Sequence, residues 1–194
     1  LGNADFLEMA SPYLTPLSHG WYECSESFFF FFFLVTGAIH THSVMIARSR
    51  LPPDTIMFDT QFSICDDTDL WVRLGMQGKM GFLDKVLCSY RKHDSNLTLD
   101  SEKFLVDAIL YHKHNLQRIE HQLSSGQVAQ LRKRIARSLA DLGYVRYQAY
   151  RLDDARTAYR EAMRWSFSRK AVLGYLKTLI PESLLRRLKT ATNR

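Results

Sequence analysis

The 194-residue sequence contains few cysteines and no long hydrophobic run. Cys24, Cys65 and Cys88 are odd in number and form no C-x-x-C pair. A disulfide framework is therefore not expected, and a reducing, cytoplasmic compartment is favoured. The chain begins with Leu1 and shows no signal-peptide pattern. Its longest apolar run, residues 28–35, is far shorter than the roughly 20 residues that a membrane-spanning helix needs.

The overall composition is that of a soluble globular protein. Hydrophobic residues make up 46% of the chain and charged residues 24%, both ordinary fractions. A chain of this length is sufficient for one large domain or two small ones, each with a buried core.

Charge is distributed unevenly along the chain. Residues 1–126 contain 10 Lys and Arg against 15 Asp and Glu, whereas residues 127–194 contain 16 against 5. The pattern indicates an acidic, metal-using front and a basic tail. Such a tail could contact an anionic membrane surface, bind nucleic acid, or form a solvated helical surface. No recognised nucleic-acid motif accompanies it, so no nucleic-acid partner is expected.

Hydrophobic periodicity predicts a mixed N-terminal part followed by helices. The six phenylalanines at 28–33 are expected in the core, as a buried strand or an all-round buried helix. Ser124, Ser125 and Gly126 form the clearest linker. The predicted elements are helices at 4–14, 67–77, 99–123, 128–150 and from 152 onward, an amphipathic last helix at 182–189, a strand at 43–47 and an extended segment at 80–90.

One part of the helical tail carries a repeat-like pattern. Gly143 and Tyr144, then the run 151–155, Tyr159 and Ala162, resemble one tetratricopeptide-type helical hairpin. A single unit of this kind cannot bury its own apolar face, so it is expected to pack on a neighbouring part of the chain.

The acidic stretch Asp66-Asp67-Thr68-Asp69 directly precedes a helical pattern of apolar residues. Acids in the first turn of a helix cap exposed N–H groups and lie at the positive end of its dipole. A purely structural role is therefore one interpretation of this cluster. The other is that one carboxylate is a catalytic base held at a helix N-terminus facing a cleft.

Four segments in order resemble the C-terminal half of a family 2 glycosyltransferase of the GT-A fold. They are residues 36–49 (a Gly turn and a strand-like run), 57–59 (Met-Phe-Asp), 65–74 around the acidic stretch, and 90–98 (Tyr-Arg-Lys-His-Asp-Ser-Asn-Leu-Thr). The resemblance covers roughly residues 34–98. It implies an α/β fold, a partial GT-A-like nucleotide-diphospho-sugar transferase half, followed by an all-α tail. The expected domains are 1–98, a linking helix at 99–126, and a basic tetratricopeptide-like tail at 127–194.

The resemblance also assigns roles to individual residues. Asp67 matches the family's general base in inverting members, with Asp66 in the preceding Glu position and Asp69 in a supporting, structural role. His93 matches a ligand for a divalent cation, Mn²⁺ or Mg²⁺. The expected acceptor or donor contacts are Gly37, Ala38, His40, Trp71 and Arg91. Two departures from the family pattern are Asp in place of Glu at position 66 and Thr68 in place of an aromatic residue.

The literal D-x-D formed by Asp67 and Asp69 is not expected to bind the nucleotide. In this fold that motif follows an apolar strand, whereas here a helix follows and no strand leads in. The nucleotide-binding half is therefore expected to lie outside this sequence, and the cation is not expected to be fully liganded by it. The chain alone is expected to be an inactive fragment.

The expected function is transfer of a sugar from a nucleotide diphosphate sugar to a glycan or other cell-envelope acceptor. The expected location is cytoplasmic, with peripheral contact to the inner face of the membrane through the basic tail. The alternative is a helical module that binds a protein or an anionic surface without catalysis. If the enzyme interpretation holds, Asp66, Asp67 and His93 should converge on one cleft, within about 15 Å of each other.

Overall fold

The computed structural model describes residues 3–31, 39–52, 55–89 and 100–181, together with Leu185. The chain divides into two compact units, Leu1–Asp94 and Ser95–Arg194. Within the described residues the first unit mixes helices with a small sheet, and the second contains helices only.

The first unit is built on a three-stranded antiparallel sheet. β1 pairs with β2, placing Leu14 opposite Cys24, and β2 pairs with β3, placing Tyr22 opposite Phe82. The elements of this unit are α1 (Asn3–Ala10), β1 (Leu14–Pro16), β2 (Trp21–Cys24), α2 (Glu26–Phe31), α3 (Asp66–Gly75) and β3 (Gly81–Leu83).

A tight turn joins β1 to β2. His19 and Gly20 both have positive φ, 58° and 81°, and the N–H of Trp21 donates to the carbonyl of Ser18 at 3.1 Å. Two central residues at positive φ are the pattern of a type I′ turn, whose twist matches that of paired strands. The turn therefore fixes the register of the hairpin.

The core of the first unit lies between α3, the sheet and the helices before it. Leu70 and Trp71 on α3 pack with Ala10, Cys24 and Phe28. Burying a large apolar side chain of this kind contributes roughly 1.5–3 kcal/mol. This packing holds α3, and hence the acidic stretch at its start, against the rest of the unit.

Four longer helices with well-defined starts lie among the described residues of the second unit. The side chains of Asp100, Ser124 and Ser168 accept backbone N–H groups at three of the helix N-termini. At Ser124 the cap is a reciprocal capping box with Gln127. The helices are α4 (Ser101–Ile119), α5 (Ser125–Gln148), α6 (Leu152–Trp165) and α7 (Arg169–Lys177).

The ring of Tyr159 on α6 joins the two helices that flank it. A Cβ added to Gly143 on α5 would lie 2.8 Å from the ring, and one added to Gly174 on α7 would lie 2.3 Å from it. Burial, followed by nearby Tyr147, raises the pKa of Tyr159 to about 12, so the phenol is neutral at pH 7. Only glycine at these two positions leaves room for the ring between α5 and α7.

Polar groups are buried between α4 and α5. His112 is 4% exposed, and its Nδ1 contacts the carbonyl of Ala108 while Arg134 donates through Nε to its Nε2 at 2.8 Å. Because Arg134 can only donate, Nε2 must accept, and the proton of the neutral ring lies on Nδ1. Burial, together with the charge of Arg134, lowers the pKa of His112 to about 4.

Several predicted elements differ from the structure. Residues 44–47 are not paired into a strand, and Thr41–Ser43 is a 3₁₀ turn. In the described part of the predicted extended segment, residues 80–89, only the three residues of β3 pair as a strand. The expected linker at 124–126 instead forms the cap and first turn of α5, because Ser124 and Gln127 satisfy its exposed N–H groups. Most of the predicted last helix, 182–189, lies outside the described residues.

The expected fold class is found only at a coarse level. The first unit is mixed and the second is helical, and the described residues contain no parallel sheet of the kind found in a complete α/β domain.

All three cysteines are free thiols, and burial, followed by the charge of Glu23, raises the pKa of Cys24 to about 11. In the described part of the chain, no helix combines the length and hydropathy needed to cross a bilayer.

Candidate functional site

The acidic stretch forms the first turn of α3. Asp66, Asp67 and Asp69 all lie in this turn, where the helix dipole stabilises negative charge. The N-cap residue is Cys65, whose side chain makes no capping hydrogen bond. The first-turn carboxylates, and not an N-cap side chain, therefore stabilise the start of α3.

Asp67 is oriented by hydrogen bonds on both of its carboxylate oxygens. Its Oδ2 accepts the hydroxyl of Thr41 at 2.7 Å, and its Oδ1 accepts the N–H of Thr68 at 2.6 Å. Thr41 and Asp67 are 26 residues apart in sequence, so the first of these bonds joins two distant segments. Asp67 is only partly buried and remains accessible from solvent.

Asp69 has a different environment, fully buried beneath the surface of α3. It accepts a hydrogen bond from Arg73 Nε at 2.8 Å, one helical turn further along. The same guanidinium donates to the carbonyls of Thr55, at 3.0 Å, and Met57. Asp69 thus pairs with the arginine that anchors residues 55–57 to α3.

His40 lies next to the segment that contacts Asp67. Its ring stacks on that of His42, with centroids 5.3 Å apart and planes 17° from parallel, and both residues are exposed. His40 directly precedes the 3₁₀ turn Thr41–Ser43, and His42 lies within it. Within the described ranges no group of three or more His, Cys, Asp or Glu side chains could hold a metal ion.

Trp71 does not line a cleft. It is 7% exposed and packs in the core of the first unit. Because so little of its side chain is exposed, Trp71 offers almost no surface to a sugar donor or acceptor.

Four predicted site residues lie outside the described residues: Gly37, Ala38, Arg91 and His93. The expected convergence of His93 with Asp66 and Asp67 therefore stays a prediction. The residues that the structure does bring together are Thr41 with Asp67, and Asp69 with Arg73.

Two residues of this site were not singled out by the sequence. Thr41 carries no pattern that marks it as a partner of an acid 26 residues away. Arg73, in contrast, lies four residues after Asp69, a spacing that places oppositely charged side chains together on a helix. That spacing could have identified the pair, whereas the contacts of Arg73 with residues 55–57 require the tertiary structure.

No protein-family model, curated protein or solved structure matches this chain.

Proposed function

We propose that this chain supplies the acceptor side of an inverting, metal-dependent glycosyltransferase, with Asp67 as the general base. The observation that carries the proposal is the hydrogen bond between Thr41 and Asp67. It brings together two of the sequence segments that resemble the glycosyltransferase family. Arg73 brings in a third segment through the carbonyl of Met57.

The chemistry assigned to Asp67 is proton transfer. The acceptor hydroxyl attacks the anomeric carbon of the donor sugar, the bond to the nucleotide diphosphate breaks, and Asp67 takes the hydroxyl proton. Thr68 donates both its N–H and its hydroxyl to Oδ1, whereas Oδ2 accepts from Thr41; because a carboxylate oxygen can accept two hydrogen bonds, Oδ2 has a position for the acceptor hydroxyl. A divalent cation, when bound, neutralises charge on the diphosphate leaving group.

Thr41 is proposed as the positioning residue for this base. Its hydroxyl fixes Oδ2 of Asp67, which restricts the direction in which the carboxylate faces. Arg73 and Asp69 are proposed to act indirectly, because they hold the loop at 55–57 against α3. The cation ligands are proposed to lie outside the described residues, His93 among them.

The test uses a polypeptide that joins this chain to a nucleotide-sugar-binding half. Asp67→Asn keeps the shape of the side chain but removes its ability to take a proton. We expect donor binding, measured by calorimetry, to stay near wild type. Turnover, measured by nucleotide release, should fall about 10²–10⁴-fold, the usual cost of losing a general base.

Two further variants sharpen the result. Thr41→Val should lower turnover less than Asp67→Asn does, and Thr41→Ser should restore it, because serine keeps the hydroxyl. Glu23→Gln, in an exposed ion pair with Lys79, serves as the matched carboxylate control and should leave turnover unchanged. Near-normal turnover in Asp67→Asn would show that this carboxylate only stabilises the start of α3.

A further inference from the structure

A shallow concavity lies on one face of α6. It has a volume of about 350 Å³ and is lined by Thr157, Arg160, Glu161, Arg164 and Trp165. These residues are spaced by three or four positions, so they share one side of the helix. Arg160 and Arg164 are exposed, and Trp165 is partly buried beside them.

Among the described residues that line this concavity, the one acid is already paired. Glu161 forms an ion pair with Lys113, which comes from α4. The same ammonium group lies 5.8 Å from the centre of the Trp165 ring, a favourable cation–π distance. Lys113 thus contacts both Glu161 and Trp165. Because the ammonium group neutralises the carboxylate, Glu161 contributes little net negative charge toward Arg160 and Arg164.

Arg160 and Arg164 are not neutralised by any carboxylate that the structure describes, whereas several other arginines of this unit are. Arg132, Arg146 and Arg156 each pair with a carboxylate. Neither Arg160 nor Arg164 forms an ion pair or hydrogen bond with another residue in the described part of the chain. Two like charges four residues apart on a helix repel each other, which disfavours this arrangement in the absence of an anion.

We infer that this face of α6 binds a phosphate-bearing ligand, with Arg160 and Arg164 on the phosphate. Guanidinium groups bind phosphate oxygens through paired, charge-assisted hydrogen bonds, and two of them one turn apart can share one tetrahedral anion. The indole of Trp165 provides an apolar wall for the group attached to the phosphate. A volume of about 350 Å³ suits a small ligand or a lipid headgroup, not an extended protein segment.

The inference is independent of glycosyl transfer, and the test uses the intact chain. Inorganic pyrophosphate and a soluble phosphate monoester are titrated by calorimetry at 150 mM salt. In a parallel arm, cosedimentation is measured with phosphatidylcholine vesicles that do or do not contain phosphatidic acid. The first arm reports a soluble ligand and the second a headgroup.

The variant is the double substitution Arg160→Gln with Arg164→Gln. Its matched control is Lys133→Gln with Arg137→Gln, two exposed basic residues at the same spacing on α5 that do not line the concavity. We expect the α6 variant to bind about tenfold or more weakly, the loss expected for removing charge-assisted bonds. The control should change affinity by less than about twofold. Because all four side chains are exposed, both variants should keep the helical circular dichroism of the wild type.

The binding results distinguish a soluble ligand, a lipid headgroup and unspecific attraction to basic residues. Loss of pyrophosphate or phosphate-ester binding in the α6 variant alone supports the site with a soluble ligand. Loss of phosphatidic acid binding alone supports it with a lipid headgroup. Equal losses in both double variants would show unspecific attraction to a basic helical surface and would overturn the inference, as would the absence of binding to every probe.

Discussion

The buried histidine of the second unit should make folding stability depend on pH in a defined window. The pKa of His112 is about 4 in the folded chain, against an ordinary value of 6.5. Below pH 6.5 the unfolded chain takes up a proton on this ring, whereas the folded chain does not until about pH 4. The contribution of the neutral His112 ring to the free energy of unfolding is therefore fully present above pH 6.5. It is lost as the pH falls from 6.5 to about 4.

The size of the effect follows from the two pKa values. One unit of pKa difference corresponds to about 1.4 kcal/mol, so lowering the pH from 7 to 5 should reduce the free energy of unfolding by roughly 2 kcal/mol. Burial raises the pKa of Glu102, but hydrogen bonds from Arg146 and Arg151 outweigh it and leave the pKa below its usual value. The contribution of Glu102 is thus present above its ordinary pKa of 4.5 and is lost only below it, outside the interval from pH 7 to pH 5.

The assay is urea unfolding at pH 7 and pH 5, followed by circular dichroism, with an NMR titration of the His112 ring beside it. His112→Gln is less stable at both values but should lose about 2 kcal/mol less than the wild type between them. His121→Gln, at an exposed position just after α4, is the control and should keep the wild-type pH dependence. An equal pH dependence in His112→Gln and the wild type, or a ring pKa near 6.5, would refute the reasoning.

Two further predictions concern packing and charge. Gly174→Ala should lower stability by about 1–3 kcal/mol, because its Cβ would overlap the Tyr159 ring; Gly126→Ala, whose Cβ meets no atom closer than 3.9 Å, should not, and equal melting temperatures would exclude the overlap. Asp69→Asn should cost about 3 kcal/mol in urea unfolding because it breaks a buried ion pair. Glu23→Gln, in a mostly exposed pair, should cost under about 1 kcal/mol, and a similar small loss at Asp69 would contradict its anchoring role.

Helices were the part of the fold that could be predicted from local sequence. The acids at 66–69, the apolar spacing of Leu70, Trp71 and Leu74, and the later Gly78 predicted a helix at 67–77, and α3 spans Asp66–Gly75. The periodicity of α5 was equally clear, since its apolar residues recur every three to four positions. These signals lie within single helices and do not depend on distant contacts.

The sheet was predicted poorly because strands depend on partners. Ser43–Ala47 has strand-forming residues but pairs with no described strand, so local preference alone was misleading. The hairpin of β1 and β2 was missed, although Gly20, a residue type typical of such turns, was visible in the sequence. Likewise, the site could be predicted only in part. The position of Asp67 at a helix start is local, whereas its bond to Thr41 is long-range.

The contact of one tyrosine with two glycines restricts how this helical unit can change in sequence. Because the Tyr159 ring fills the space left by both Gly143 and Gly174, a larger residue at either glycine is compatible only with a smaller one at position 159. Shrinking the ring would in turn open a void against both flanking helices. The three positions on three helices are thus energetically coupled, so a substitution at one changes the cost of a substitution at the other two.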